Sequence, residues 1–358
     1  MMLLSQAAQA LNGNLIGSDA RFFAVSTDSR RIEGGDLFVA LRGEHFDGYE
    51  FAATALESGA VAVLVNADSY EARPLLQNPD FPILVVADTR LALGQLAAYW
   101  RRQSDIPLAA ITGSNGKTTV KEMLAGILRE ACGNDDAVLA TRGNFNNDIG
   151  MPLTLLQLNA QHRYAVIEMG MNHPGEIAQL AAIAQPDVVL VNNAQREHLE
   201  FMHTVEAVAR ENGAVLTALP ASGTAVFPAE DAFAPLWREL AGTRQTLEFG
   251  LEQGDVRCTQ AVWQGAAWQA TFATLHGPMA CQLAMPGRHN LRNALAATAC
   301  ALAAGVSLGA IAQGLSGFAP VSGRSRALAL QLAGRALTLV DDSYNANPDS
   351  VRAAIEVL

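Results

Sequence analysis

Ile111-Thr112-Gly113-Ser114-Asn115-Gly116-Lys117-Thr118-Thr119 decides the reading of this chain. It follows the apolar run Pro107–Ile111, which reads as a buried strand. It opens a helical pattern with Met123, Leu124, Ile127, Leu128 and Ala131 on one face. A strand, a glycine loop and a helix start together form a phosphate cradle. Glycine lets backbone N–H groups approach the oxygens, and the helix N-terminus adds positive potential. In such a cradle Lys117 reaches the β- and γ-phosphates and the Thr118 hydroxyl binds Mg²⁺. The loop is a short form, Gly-x-x-Gly-Lys-Thr, because Ile111 stands where the longer form has its first glycine. The flanking strand and helix set it apart from a plain turn, and ATP is the expected ligand.

At 358 residues the chain is longer than one ordinary domain; at ~150 residues per domain, two or three are expected. Half of it is hydrophobic and 16% is charged, enough apolar material for a sizeable core. Acidic residues outnumber basic ones by 35 to 24, a net charge of −11. That balance argues against a nucleic-acid surface but leaves room for anionic nucleotides held by local loops. Cys132, Cys258, Cys281 and Cys300 are scattered, with no Cys-x-x-Cys pair, and read as reduced thiols of a cytosolic protein. Met1–Ala10 lacks a basic start and a cleavage signature, and no apolar run is long enough for a bilayer. We expect a cytoplasmic monomer with neither a nucleic-acid nor a membrane partner.

The patterning is that of an α/β protein in three regions. Residues 1–82 hold strand-like runs at Phe22–Ser26, Asp36–Leu41, Ala60–Val65 and Pro82–Ala87, with a helical stretch at Tyr49–Ser58. Residues 83–320 begin with a helix at Arg90–Arg102 and then alternate strand and helix, as a parallel sheet requires. Strands are expected at Tyr164–Met169 and Asp187–Val191, and helices at Gly175–Ala184 and Thr204–Leu219. Gly213 marks a break or a close contact in the latter. Thr246–Met285 is β-rich, and Asn290–Ala304 and Leu308–Leu315 are helical. Residues 321–358 begin with a hairpin, Arg326–Leu332 and Ala336–Val340, around Ala333-Gly334-Arg335. A helix from Asp349 to the last residue follows. One strand–helix unit is too little to bury its own faces, so only the start of a third domain is expected.

Four further groups carry possible chemistry. Glu168 closes a strand beside the loop, where ligands of open α/β sheets gather. It reads as a solvent-facing acid or, given the loop, as an oxygen ligand for Mg²⁺. His198, past the strand Asp187–Val191, reads by spacing first as a structural residue, with a metal role as the alternative. Arg142–Gly150 holds Asn144, Asn146 and Asn147; it is either a turn cluster or an amide-lined ligand loop. Asn290 and Asn293 lie one helical turn apart and suit an adenine edge, although Asn290 alone reads as an N-cap.

Together these strings resemble the Mur ligases, the ATP-dependent amide-forming enzymes of bacterial cell-wall precursor synthesis. Thr112–Thr119 matches their variant phosphate loop. IEMG around Glu168, GRHNLRNALAA around Asn290 and SGR around Arg324 follow in the family's order. GNFNNDIGMPLTLL (Gly143–Leu156) and DDSYNANPDS (Asp341–Ser350) resemble the branch that adds D-alanyl-D-alanine to UDP-N-acetylmuramoyl-tripeptide. STDSR (Ser26–Arg30) and GDLFVALRGEHFDGYEF (Gly35–Phe51) resemble its UDP-binding domain. The resemblance implies a small N-terminal UDP-binding domain, a central parallel-sheet ATPase domain and a C-terminal α/β domain. It implies that Gly113, Ser114, Asn115, Gly116, Lys117, Thr118 and Thr119 cradle the triphosphate. Thr118 and Glu168 would bind one Mg²⁺ and His198 a second. Asn290 and Asn293 would meet adenine, Asp342 the ribose and Arg324 the γ-phosphate side. Ser26, Thr27, Asp28, Ser29, Arg30, Asn144, Asn146 and Asn147 would hold the UDP-muramoyl peptide. Lys117, Glu168, His198 and Arg324 are the expected catalytic set.

One departure stands out. Many members of the family carry a lysine, modified to a carbamate, fourteen residues after the histidine; here that position is Asn212. Losing one negative charge ~4 Å from a metal costs about 4 kcal/mol at an effective dielectric near 20. The expectation is that Glu211, Glu197 or Glu200 supplies the charge, or that the second Mg²⁺ binds weakly. Two alternatives remain: a sister ligase adding another amino acid, and a nucleotide-binding regulator without ligase activity.

Overall fold

The computed structural model describes residues 1–72, 81–332 and 335–357. The expected turn at Ala333–Gly334 and the last residue of the expected C-terminal helix, Leu358, lie outside the described residues. The chain packs as two units, Met1–Asp105 with Asn147–Leu158, and Ile106–Asn146 with Asn159–Leu358.

The first unit is built on a five-stranded sheet. Its order is Asn14–Ile16, Ile83–Val86, Ala62–Asn66, Asp36–Val39, Ala24–Ser26. Only Asn14–Ile16 runs antiparallel to its neighbour. Asp36–Val39 and Ala62–Asn66 are buried along their whole length, as strands covered on both faces should be. The stretch expected as one helix at Tyr49–Ser58 divides into a 3-10 turn, Gly48–Phe51, and an α-helix, Ala52–Glu57. Asp47 causes the tight start by accepting the Tyr49 N–H. The helix Thr89–Arg101 is capped by Asp88, which accepts from Arg90 and Leu91. It packs against the short helix Gly150–Leu155 in this unit, and Trp100 Nε1 donates to Leu158 O at 2.9 Å.

The second unit carries the phosphate loop. Its nine-stranded sheet runs Gly277–Leu283, Ala267–Thr274, Val256–Gln264, Gln245–Gly250, Thr224–Pro228, Val188–Val191, Leu108–Thr112, Tyr164–Glu168, Val138–Ala140. The strand leading into the loop is an interior one, third from one edge. Its register pairs Ile111 with Glu168 on one side and Thr112 with Val191 on the other. Chain order reverses across this strand, which makes its carboxyl end a switch point. The β-rich stretch after Thr246 extends this same sheet, so the sheet is mixed rather than wholly parallel. Its last strands pair antiparallel because tight turns join them, and Trp263 meets Trp268 edge-on at 5.4 Å.

The helix Lys117–Cys132 buries Val120, Met123, Leu124, Ile127 and Leu128 against this sheet. Each such side chain contributes about 1.5–3 kcal/mol when fully buried. Ala131, expected on that face, is exposed because the helix is ending there at Gly133, whose φ is +60°. Gly213 marks close contact and no break in the helix Val205–Thr217. A Cβ there would lie 2.8 Å from Leu240 Cδ1 and 3.0 Å from Trp237 Cδ1. No helix among the described residues is long and apolar enough to cross a membrane.

Where the helix Leu308–Ser316 crosses Lys117–Cys132, a Cβ on Gly314 would lie 2.5 Å from Ile127 Cα. A Cβ on Gly126 would meet only Gly314 O, at 4.0 Å. Gly314→Ala is therefore expected to destabilise by about 1–3 kcal/mol through overpacking. Gly126→Ala is expected to be neutral or to stabilise by up to about 1 kcal/mol. Urea denaturation of the two variants checks the contrast.

Candidate active site

Gly113 and Gly116 have φ of +125° and +82°. A Cβ at Gly113 would lie 3.0 Å from Asn192 Cβ and from the backbone N of Asn192 and Asn193; at Gly116 it would lie 2.5 Å from Asn293 Oδ1. Both positions thus require glycine for conformation and for space. Side-chain amides hold the loop between them. Asn115 N donates to Asn193 Oδ1 at 2.9 Å, and Gly113 N to Asn212 Oδ1 at 2.8 Å. Asn192 Nδ2 and Asn193 Nδ2 donate to Asn115 O at 2.8 and 2.9 Å. Ser114 Oγ accepts from Gln195 N at 2.9 Å, and Thr119 is buried in the helix's first turn.

Asn290 and Asn293 join this network. Asn192 Nδ2 donates to Asn293 Oδ1, and Asn293 Nδ2 to Asn290 Oδ1, both at 3.1 Å. The N-cap of the helix Arg288–Ala303 is Gly287, which leaves Asn290 inside the first turn, not at the cap. Asn290 Nδ2 donates to Pro286 O at 2.7 Å. Burial pushes the neighbouring His289 imidazole below its usual pKa, against the pull of Asp342 and Glu356.

The charged groups converge on the loop's helix end. Lys117 Nζ donates to Gly113 O, to Ser114 O at 3.3 Å and to Glu197 Oε1 at 2.8 Å. Glu168 is 3% exposed, and each of its oxygens accepts from a neutral donor. These are Thr118 Oγ1 at 2.8 Å and Asn146 Nδ2 at 2.9 Å. A buried carboxylate compensated only by neutral dipoles suits a hard cation. No three His, Cys, Asp or Glu side chains among the described residues converge into a metal cage. His198 has a left-handed backbone (φ +48°) and a 39% exposed side chain, with Nε2 3.8 Å from Glu197 Oε1.

Asn212 is not a bare gap where a charge is missing. It is buried, its Oδ1 anchors Gly113, and its carbonyl accepts from Thr112 Oγ1 at 3.1 Å. Of its expected substitutes, Glu211 is committed elsewhere. Its oxygens accept from Gly175 N at 2.8 Å and Ile177 N at 2.9 Å at the start of the helix Glu176–Ala184. Glu200 is exposed, and Glu197 faces Lys117.

The remaining expected residues fall in two places. In the second unit, the Arg324 guanidinium lies over the Tyr344 ring at 4.1 Å, and Asp342 Oδ1 accepts from Ser325 N at 2.9 Å. Asn144 is exposed there. In the first unit, Asp28 accepts from the Arg30 guanidinium at 2.8 and 2.9 Å, which holds its carboxyl down at about 2. Ser26 Oγ donates to Asp28 O at 3.1 Å, and Thr27 and Ser29 are half-buried. Asn147 Oδ1 accepts from Ile149 N and Gly150 N, a turn-forming use.

Sequence reasoning missed several partners. Asn192 and Asn193 follow a strand whose register places them against the loop, and only the pairing reveals it. Asn347 Nδ2 donates to Asn115 Oδ1 at 2.8 Å. Arg196 grips Asp349 with Nε at 3.1 Å and Nη2 at 2.6 Å, and that guanidinium holds the Asp349 carboxyl below the usual range. Lys121, one turn after Lys117, is fully buried and donates to Thr141 O at 2.7 Å.

Two family models match the chain: the Mur ligase middle domain over residues 111–301, and the Mur ligase family catalytic domain over residues 22–101. The UDP-N-acetylmuramoyl-tripeptide–D-alanyl-D-alanine ligase of Escherichia coli strain K12 is 44% identical over 357 residues, covering 99% of this chain and 76% of that protein. The ligase of the same name from Bacillus subtilis strain 168 is 34% identical, covering 93% and 69%. The crystal structure of MurF from Acinetobacter baumannii has a TM-score of 0.88 at 39% identity, over 99% of this chain and 75% of that one. MurF ligase from Thermotoga maritima in complex with ADP has a TM-score of 0.79 at 28% identity, over 94% and 74%.

Removing the Asn212 amide would leave the buried Gly113 N–H without its acceptor. Asn212→Ala is expected to cost about 1–3 kcal/mol, read by urea denaturation, and to increase proteolytic cleavage at the loop.

Proposed function

The chain belongs to the Mur ligase family, and from that premise we propose the reaction it performs. It is an ATP-dependent ligase that joins D-alanyl-D-alanine to UDP-N-acetylmuramoyl-tripeptide in peptidoglycan precursor synthesis. The observation that carries this reading is the 44% identity, along 99% of the chain, to a ligase of that name. Supporting it is the phosphate loop, placed with Lys117, Thr118 and Glu168 together at the sheet's switch point. The tripeptide's terminal carboxylate attacks the γ-phosphorus of ATP, giving an acyl phosphate and ADP. The amine of D-alanyl-D-alanine then adds to the acyl carbon. The tetrahedral intermediate loses phosphate, and the nitrogen loses a proton. Both steps depend mainly on positioning and on neutralising charge.

The residue roles are those that the family resemblance implies. Lys117 and the N–H groups of Gly113–Thr119 hold the β- and γ-phosphates. Thr118 and Glu168 hold one Mg²⁺ and His198 a second; bound there, the cations neutralise triphosphate oxygens. Arg324 approaches the γ-phosphate, Asp342 the ribose, and Asn290 and Asn293 the adenine. Ser26–Arg30, Asn144, Asn146 and Asn147 take the UDP-muramoyl peptide. The first domain ends near residue 105 rather than at the expected 82, because Ile83–Val86 is a strand of the first unit's sheet. A second boundary falls near residue 320, and the protein acts in the cytoplasm as a monomer.

Phosphate release from ATP is expected only when both UDP-N-acetylmuramoyl-tripeptide and D-alanyl-D-alanine are present. Release with either one absent would favour the regulator reading. Lys117→Ala is expected to weaken ATP·Mg²⁺ binding by at least about tenfold, the loss of one charge-assisted phosphate contact. Titration calorimetry measures it, and unchanged affinity would refute the assigned role of the loop.

A further inference from the structure

Glu197 stands apart from the other acids near the loop. Its Oε1 accepts from Lys117 Nζ at 2.8 Å and lies 3.8 Å from His198 Nε2. Its Oε2 is buried and has no hydrogen-bond partner among the described residues. Only 12% of the Glu197 side chain and 15% of that of Lys117 is exposed. A desolvated carboxylate oxygen without a donor is unfavourable. A second state that brings a cation to this oxygen would supply the missing partner.

The second state is the nucleotide complex, and this step rests on the ATP reading above. Lys117 cannot keep its contact with Glu197 in full while it holds the β- and γ-phosphates. Once the lysine turns away, Glu197 has both oxygens bare beside a polyanion. Like charges at such range repel strongly in a poorly hydrated site. A divalent cation between carboxylate and phosphate removes the repulsion, and the imidazole of His198 is close enough to share it.

We propose that Glu197 is an exchangeable carboxylate. Without nucleotide it is the counter-ion that keeps Lys117 in place. With nucleotide it becomes a ligand, beside His198, for the divalent cation that accompanies the triphosphate. It also supplies at this site the negative charge that Asn212 lacks.

The test is titration calorimetry with a non-hydrolysable ATP analogue, in Mg²⁺ and in EDTA, on the parent protein, Glu197→Gln and Glu197→Asp. Glu197→Gln is expected to bind the metal-free analogue about tenfold more tightly, because its lysine is free and the repulsion is gone. The same variant should lose about tenfold of the Mg²⁺ enhancement of affinity. Glu197→Asp keeps the charge and should keep the enhancement. If Glu197→Gln does not fold, Glu197→Ala also removes the charge and carries the same expectation. An enhancement ratio equal to the parent's in the charge-removing variant overturns the proposal and leaves the ATP reading intact. So does an equal loss of affinity with and without Mg²⁺, which a merely structural contact would give. Failure of the parent protein to bind the analogue in either condition overturns both.

Discussion

The close approach between Gly113 and the Asn192–Asn193 backbone is the constraint on which the site depends. The pairing of Thr112 with Val191 brings the two chain segments off the sheet together. Where a Cβ would stand on Gly113, two backbone nitrogens already lie 3.0 Å away. The loop is therefore packed against protein rather than supported by water, and its shape is set before any ligand arrives. Amides suit this task because each can donate and accept within one short side chain. Carboxylates in the same places could accept but could not donate to Asn115 O, as Asn192 and Asn193 do, and they would repel a phosphate.

The electrostatics follow from where the loop meets its helix. Lys117 is the first residue of the helix Lys117–Cys132, at the positive end of the helix dipole. A cation there is at odds with the dipole unless an anion is near. The carbonyls of Gly113 and Ser114 and the Glu197 carboxylate supply negative partners. Glu168 presents the opposite case, a buried anion satisfied only by a hydroxyl and an amide. The site thus places an anion-seeking lysine and a cation-seeking carboxylate on either side of Thr118. A magnesium–triphosphate complex presents both complementary charges at once.

Several buried elements around the phosphate loop were legible in the sequence, and others of similar length were not. The strands Tyr164–Glu168 and Val188–Val191 lie within a residue of their expected limits, and the helix Lys117–Cys132 opens at the glycine loop as expected. Their apolar spacing is set by burial against the sheet, so pattern and structure have the same cause. The helices Leu4–Leu11 and Ala234–Ala241 and the strand Thr224–Pro228 were not anticipated. The first does carry helical spacing, with Leu4, Ala7, Ala8 and Leu11 buried on one face, and the strand ends in Pro228. The site divides in the same way. The loop was plain because its chemistry is local in sequence. Asn193, Asn212 and Glu197 act on residues about eighty to a hundred positions away, and only strand register brings them there.

Asn347 shows how one side chain can join a distant segment to this network. Its Oδ1 caps the helix Pro348–Ile355 by accepting from Asp349 N at 3.0 Å and Ser350 N at 2.8 Å. Its Nδ2 simultaneously donates to Asn115 Oδ1 in the phosphate loop. Aspartate would cap the helix equally well but has no donor for Asn115, and serine is too short to do both. Asp349, two residues later, is gripped by Arg196, which adjoins Glu197. The helix is therefore tied at its first turn to both sides of the loop. A rotation that moved Asn347 would have to break an amide pair on Asn115 and disturb the segment that carries the Lys117 counter-ion. The link between this helix and the phosphate loop is thus direct, through Asn347 and Asn115.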